Sequence, residues 1–202
     1  MAARQGGFTL IELLVALAVF AVMSTMAYSG LAQLLNVRSV MESQAEEMAR
    51  LQMAMSVIER DLEQAAPYPS RGVVGEPARP ALMGEDGVEN FLELTRNGRR
   101  NPLGARRSSL QRIAYAFIDG KLQRAVWPGP DQPPEIAPYL SELLTGVEEV
   151  EVRFLDQRRQ WRANWPQGGV AMTNAPMPEA VEIVVQMPGW GRIRRVFALN
   201  LG

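Results

Sequence analysis

The 202-residue sequence contains no cysteine and no histidine. The first absence excludes a disulfide framework and a thiolate metal site. It does not fix a compartment; an exported domain would have to hold itself without covalent staples. The second removes the commonest general base and the commonest transition-metal ligand, so an enzyme here would run on carboxylates, Ser, Lys or Tyr. An excess of either charge is also lacking: 21 basic and 22 acidic residues leave a net charge of −1. That balance gives no overall attraction to nucleic acid or to an anionic membrane. Nucleophile and phosphate-binding signatures are missing too, with no G-x-S-x-G, no G-x-x-x-x-G-K-[ST] and no G-x-G-x-x-G after a strand.

Charge itself is absent from Leu13 to Val37, 25 residues of mostly apolar character. At about 1.5 Å per residue a helix of this length crosses a hydrocarbon core of roughly 30 Å. One carboxylate, Glu12, stands at its start, where it is costly unless paired or kept near the interface. The preceding residues, Met1 to Gly7, are short and carry a single positive charge, Arg4. A secretory signal would place its small residues after a shorter apolar region; here Gly6-Gly7 come before a longer one. Arg4 predicts a cytoplasmic N-terminus. An uncleaved signal anchor is the plainer reading of these features.

Gly7-Phe8-Thr9-Leu10-Ile11-Glu12 resembles the junction of a type IV prepilin-like leader: Gly, then Phe-Thr-Leu-Ile-Glu, then an apolar helix. The resemblance implies cleavage after Gly7 by a prepilin peptidase, N-methylation of Phe8, and Glu12 as the fifth residue of the mature chain. In such filaments the glutamate is thought to meet the N-terminal amine of a neighbouring subunit. An opposite charge within a few ångströms relieves a carboxylate in apolar surroundings. Cleavage creates that amine, so processing and assembly would be linked. Loss of Arg4 would take the side-chain charge from −1 to −2.

Past Val37 the pattern is amphipathic. Met41, Ala45, Met48, Leu51, Met55, Ile58, Leu62 and Ala65 recur at steps of three and four and draw one apolar stripe. Glu46-Arg50 is a favourable i,i+4 pair and Glu59-Glu63 an unfavourable one. Pro67 predicts the helix end, because the residue before a proline avoids the helical region. One helix over 8–66 is expected, on the order of 85–90 Å long. Residues 1–7 would be leader, 8–37 the membrane or filament-core half, and 38–202 a periplasmic globular domain. The methionines at 41, 48, 53 and 55 read as ordinary core filling rather than as a copper or partner surface.

Residues 67–89, rich in Pro and Gly, predict a loop; Glu85, Asp86 and Glu89 are too few for a calcium loop. The remainder reads as β. A short strand over Phe91–Thr95 precedes an Arg-rich loop to Ser109. Ile113, Tyr115 and Phe117 alternate, Asp119-Gly120 signals a hairpin, and Lys121–Trp127 returns. Tyr139–Leu144 is expected as a short helical turn. Val150, Val152 and Phe154 alternate with charges, and Gln157–Pro178 is expected as a long loop. A final pair of strands flanks Pro188-Gly189-Trp190-Gly191 and closes through Phe197, Leu199 and Leu201. A helix followed by antiparallel sheets predicts an α+β fold, which is the order of a pilin-like fold.

The spine phrase Ile58-Glu59-Arg60-Asp61-Leu62, the strand Val150–Asp156 before a tryptophan-containing segment, and the closing strands resemble the J-type minor pseudopilin of type II secretion. Classical pilins usually carry a C-terminal disulfide loop, which this chain lacks. The resemblance implies a non-catalytic, cofactor-free subunit at the tip of a periplasmic pseudopilus, anchored in the Gram-negative inner membrane. Its expected partners are I-type and K-type pseudopilins, with an H-type subunit linking to the major shaft. Candidate contact residues are Met41, Met48, Leu51, Met55, Trp161 and Trp165, because Trp near Arg is enriched at binding hot spots. Two other classes stay open. Arginine pairs at 99/100, 106/107, 158/159 and 194/195 fit a minor pilin or competence pseudopilin touching DNA, although the near-zero charge favours no nucleic acid. An anchored periplasmic enzyme would require an unprocessed leader.

Overall fold

The computed structural model describes residues 9–71, 78–98, 108–131, 136–167 and 175–199. Two compact units divide between Ala49 and Arg50. The first is helical from Leu10 onward. Helix α1 (Leu10–Glu63) runs through Gly30 without a break, and every residue from Leu10 to Glu46 is exposed.

The second unit is the head. It begins with the last turns of α1, where Leu51, Ala54, Met55, Ile58 and Leu62 are buried. Ten strands follow among the described residues: β1 (Leu82–Glu85), β2 (Leu92–Arg96), β3 (Gln111–Ile118), β4 (Lys121–Trp127), β5 (Tyr139–Thr145), β6 (Glu149–Leu155), β7 (Trp161–Arg162), β8 (Asn164–Trp165), β9 (Ala180–Met187) and β10 (Gly191–Ala198). A six-stranded sheet has the order β5-β4-β3-β2-β1-β8, and a four-stranded sheet has the order β10-β9-β6-β7. All pairings are antiparallel. The predicted α+β, pilin-like architecture is the one observed.

The hairpin signals hold. Asp119 and Gly120 adopt φ of 49° and 72°, both positive as a two-residue type I′ turn requires, and Ile118 pairs with Lys121. Val150, Val152 and Phe154 are buried while Glu149 and Arg153 are exposed. The sheets meet where β1 and β8 approach β6. Asp86, just after β1, accepts the Val152 N–H at 2.9 Å. Gly84 permits the approach: a Cβ there would lie 2.5 Å from Phe154 Cζ and 2.5 Å from the Phe91 carbonyl oxygen.

Four expectations are corrected. The helix ends at Glu63 rather than Ala66, because Ala65 bridges to Arg96 and the Ala66 N–H donates to the Thr95 carbonyl at 2.9 Å. The backbone leaves the helix to dock on β2 before Pro67 is reached; Phe8, the expected start, lies outside the described residues. The 67–89 loop contains β1, whose Leu-Met-Gly-Glu lacks the alternation that marks a strand but pairs on both edges. Tyr139–Leu144 is strand β5, not a helical turn: Leu140, Leu143 and Leu144 mimic helical spacing, but the free edge of β4 takes up the segment. Within Gln157–Pro178 the short strands β7 and β8 join the second and first sheets respectively.

Candidate functional site

At the start of α1, Thr9 acts as N-cap. Its hydroxyl accepts the Glu12 N–H at 3.4 Å and its carbonyl accepts the same N–H at 3.1 Å. Thr9-Leu10-Ile11-Glu12 therefore has the Thr-x-x-Glu spacing of a capping box. A carboxylate in the first turn also opposes the positive end of the helix dipole. Glu12 thus has a local role within its own helix, in addition to the intersubunit one the motif implies.

Beyond Glu12 the helix presents Phe20, Met26 and Tyr28 at 69–77% exposure. Its apolar window has a mean hydropathy of 2.3, which makes it long and apolar enough to cross a membrane. Two of the hydroxyls in this stretch are satisfied inside the helix. Thr25 Oγ1 donates to the Val22 carbonyl at 2.8 Å and Ser29 Oγ to the Met26 carbonyl at 2.9 Å. The first charges past the apolar stretch form an i,i+4 pair, Arg38 with Glu42 at 2.8 Å. An uncovered apolar surface of this extent calls for lipid or for other helices.

Where α1 enters the head, one buried carboxylate organises the junction. Asp61 accepts from Arg96 Nη1 at 2.6 Å, Arg124 Nε at 2.6 Å, Arg124 Nη2 at 3.0 Å and the Tyr115 hydroxyl at 2.6 Å. These donors stand on β2, β4 and β3, so a single side chain fastens the last turn of α1 across three strands. Burial, then the neighbouring Asp61 charge, pushes the Tyr115 hydroxyl well above its ordinary pKa. Burial opposes the Arg124 charge, but the hydrogen bond and charge of Asp61 outweigh it and the pKa rises. Deeper in the sheet, burial lowers the pKa of Arg112 despite Glu93 at 2.7 Å. Arg112 also donates to Thr95 Oγ1 and to the Pro80 and Ala81 carbonyls.

The sequence signalled Asp61 only indirectly. It falls on the stripe of Ala54, Ile58 and Ala65, where an acid is out of place unless the fold supplies donors. Those donors are scattered from residue 96 to residue 124, and no local pattern links them.

The candidate contact residues separate into two groups. Met41 is exposed and Met48 half-buried on the helix. Leu51 and Met55, at 6% exposure each, belong to the head's own core, which removes them as partner surface. Trp165 is likewise core. Its ring packs 6.4 Å from Phe154 and its indole N–H donates to the Pro176 carbonyl at 3.2 Å. Trp161 is half-buried with the Arg153 guanidinium 5.9 Å above its ring. Gly7, Phe8, Arg99, Arg100, Arg106 and Arg107 lie outside the described residues. Arg158, Arg159 and Arg195 are exposed, whereas Arg194 pairs with buried Glu182, which Arg153 also contacts. Among the described residues no cluster of carboxylates is arranged to hold a metal ion.

The first unit is therefore a capped apolar helix, and the second is a two-sheet head in which Asp61 fastens the last turn of α1. A family model described as Type II secretion system (T2SS), protein J matches residues 29–199, and one described as Prokaryotic N-terminal methylation motif matches residues 2–28. Type II secretion system protein J of Escherichia coli is 31% identical over 205 residues, spanning 99% of this chain and 98% of that protein. The protein of the same name from Vibrio cholerae serotype O1 is 32% identical over 204 residues, spanning 98% and 89%. A chain in the crystal structure of the GspK-GspI-GspJ complex from enterotoxigenic Escherichia coli superimposes with a TM-score of 0.66. It is 28% identical, over 77% of this chain and 99% of that one.

Proposed function

The chain belongs to the type II secretion system protein J family and is a minor pseudopilin of that system, and from this membership we propose that it builds the tip of the pseudopilus. In this reading the leader is removed after Gly7, Phe8 becomes the methylated N-terminus, and Glu12 meets the amine of a neighbouring subunit. Residues 8–37 lie in the inner membrane before assembly and in the fibre core after it. The head stands on the periplasmic side, and its role is structural rather than catalytic. I-type and K-type pseudopilins are the immediate partners, as in the Escherichia coli complex, with an H-type subunit joining the tip to the major shaft. The three together initiate or cap the fibre that helps export folded proteins across the outer membrane.

The observation that carries this is the exposed, apolar, capped helix, in which Glu12 is the one charged side chain from Leu10 to Val37. A surface of that kind has no reason to exist on an isolated soluble subunit. The Thr25 and Ser29 hydroxyls are bonded within the helix, and in this reading lipid covers the apolar surface before assembly and neighbouring helices afterwards. The test is co-purification of the full-length, processed protein in detergent with the I-type and K-type pseudopilins of the same system. Recovery of a stable three-protein complex is expected. If the I-type and K-type proteins bind each other and leave this chain behind, the tip assignment is wrong.

A further inference from the structure

The head carries a pocket unrelated to the helix and its cap. It has a volume of about 330 Å³ and is lined by Asp156, Arg158, Arg162, Trp165, Pro166 and Pro176 among others. Its base is apolar: Trp165 and Pro166 are buried, and the Trp165 indole N–H is already spent on the Pro176 carbonyl. Such a surface has little polar demand left to satisfy and suits an apolar group.

The rim is a rigid, basic turn between β6 and β7. Asp156 Oδ1 accepts the N–H groups of Arg158 at 2.9 Å and Gln160 at 2.8 Å, and Oδ2 accepts Arg162 Nε at 3.0 Å. Within this turn Arg159 is held at a φ of 60°, a conformation that costs a residue with a branched-off Cβ more than it would cost glycine. Four arginines, 153, 158, 159 and 162, stand within ten residues against the single Asp156. Arg153 is engaged by Glu182 and Arg162 by Asp156. Arg158 and Arg159 are exposed and, among the described residues, have no carboxylate partner. The uncompensated Arg158 guanidinium thus borders an apolar pocket, and Arg159 follows it in the same exposed turn, in a chain whose overall charge is slightly negative.

We propose that this pocket is a docking site for an acidic segment of another protein. An apolar side chain of that segment seats on Trp165, Pro166 and Pro176, and its carboxylates face Arg158 and Arg159. Charge complementarity selects the acidic partner, because guanidinium and carboxylate match in charge and in planar geometry. Concavity selects a protein side chain over a nucleic-acid backbone. Duplex binding draws its affinity from many phosphates along a basic track, and two cations beside one pocket provide no track.

Full-length protein in detergent micelles would be titrated at low salt into fluorescein-labelled Gly-Asp-Phe-Glu-Gly, with anisotropy as the readout. Saturable binding is expected, weakened by salt. Gly-Asp-Gly-Glu-Gly and Gly-Lys-Phe-Lys-Gly should each bind about tenfold more weakly or worse. Two variants separate charge from shape: Arg158→Glu with Arg159→Glu reverses the rim, and Ala175→Trp fills the pocket from its wall. Each should cost about tenfold in affinity, with circular dichroism unchanged. Should Ala175→Trp not fold, the arginine variant decides alone. The proposal is overturned if no saturable binding appears by about 1 mM peptide, or if the arginine variant binds like the wild type. Equal binding of the glycine peptide would reduce the site to a generic charged surface. Tighter, competing binding of a labelled DNA duplex would make it a nucleic-acid site. Self-association lost in the arginine variant, with no peptide binding, would make a second copy the occupant.

Discussion

Arg124 on β4 reaches Asp61 on α1 with two parallel hydrogen bonds, Nε to Oδ2 at 2.6 Å and Nη2 to Oδ1 at 3.0 Å, across 63 residues of chain. Asp61 is 1% exposed and Arg124 14%. Asp61→Asn would leave Arg124 and Arg96 without their shared counter-charge in a half-dry site. Breaking a buried pair by removing one partner costs about 3 kcal/mol or more. Urea unfolding followed by tryptophan fluorescence should show a loss of about that size. A change below about 0.5 kcal/mol would mean that water replaces the carboxylate at no cost.

Leu51 and Met41 lie on the same predicted stripe but in different settings, buried in the head and exposed on the helix respectively. Leu51→Ala should destabilise the head by about 3 kcal/mol, as truncation of a core leucine does. Met41→Ala should leave that stability within about 0.5 kcal/mol of the wild type. Equal effects of the two changes would mean that Leu51 is not core.

Gly84 is the contact point of the two sheets. A methyl group there meets Phe154 and the Phe91 carbonyl at 2.5 Å; the ring can turn away, the backbone oxygen cannot. Gly84→Ala should cost about 1–3 kcal/mol through overpacking and lower the thermal midpoint by several degrees. An unchanged midpoint would show that β1 and β2 separate freely.

The Asp156 carboxyl is held below its ordinary pKa by the Gln160 N–H first, then by Arg162 and the Arg158 N–H, with burial opposing them. A group whose folded pKa is depressed contributes stability that is present above the unfolded value, about 3.9, and is lost as pH falls through the folded value. The β6–β7 turn should therefore loosen in acid, below about pH 4. Asp156→Asn should lower stability at pH 7 and flatten the pH dependence below about pH 4. A variant with the same acid limb as the wild type would place the titration elsewhere.

The capping geometry at Thr9 separates two roles of Glu12. Gln at the third helical position can serve a capping box as Glu does, so Glu12→Gln removes the charge and keeps the cap. On the proposed pairing with a neighbour's amine, Glu12→Gln and Glu12→Ala should both be cleaved by the peptidase. Both should fail to be retained with the partner pseudopilins in detergent. Retention of Glu12→Gln alongside loss of Glu12→Ala would put the helix cap, not the charge, in control of assembly.

Much of the molecule was readable along the chain, because the relevant forces act over short sequence distances. The charge-free run from Leu13 to Val37 sets the apolar helix, the steps of three and four from Leu51 to Leu62 set its buried face, and Asp119-Gly120 sets a hairpin through its positive φ angles. The leader motif and family resemblance were likewise local strings of residues. What the tertiary structure alone decided is pairing between distant segments. Strand β1 exists because β2 and β8 flank it, β5 because β4 has a free edge, and the helix stops at Glu63 because Ala65 bridges to Arg96 and Thr95 takes the Ala66 N–H. Leu51 and Met55 became core, Asp61 became an anchor, and Arg158 came to border a pocket. Each outcome depends on which remote backbone edge or charged group the fold brings near, and that is a property of the folded chain, not of any window of its sequence.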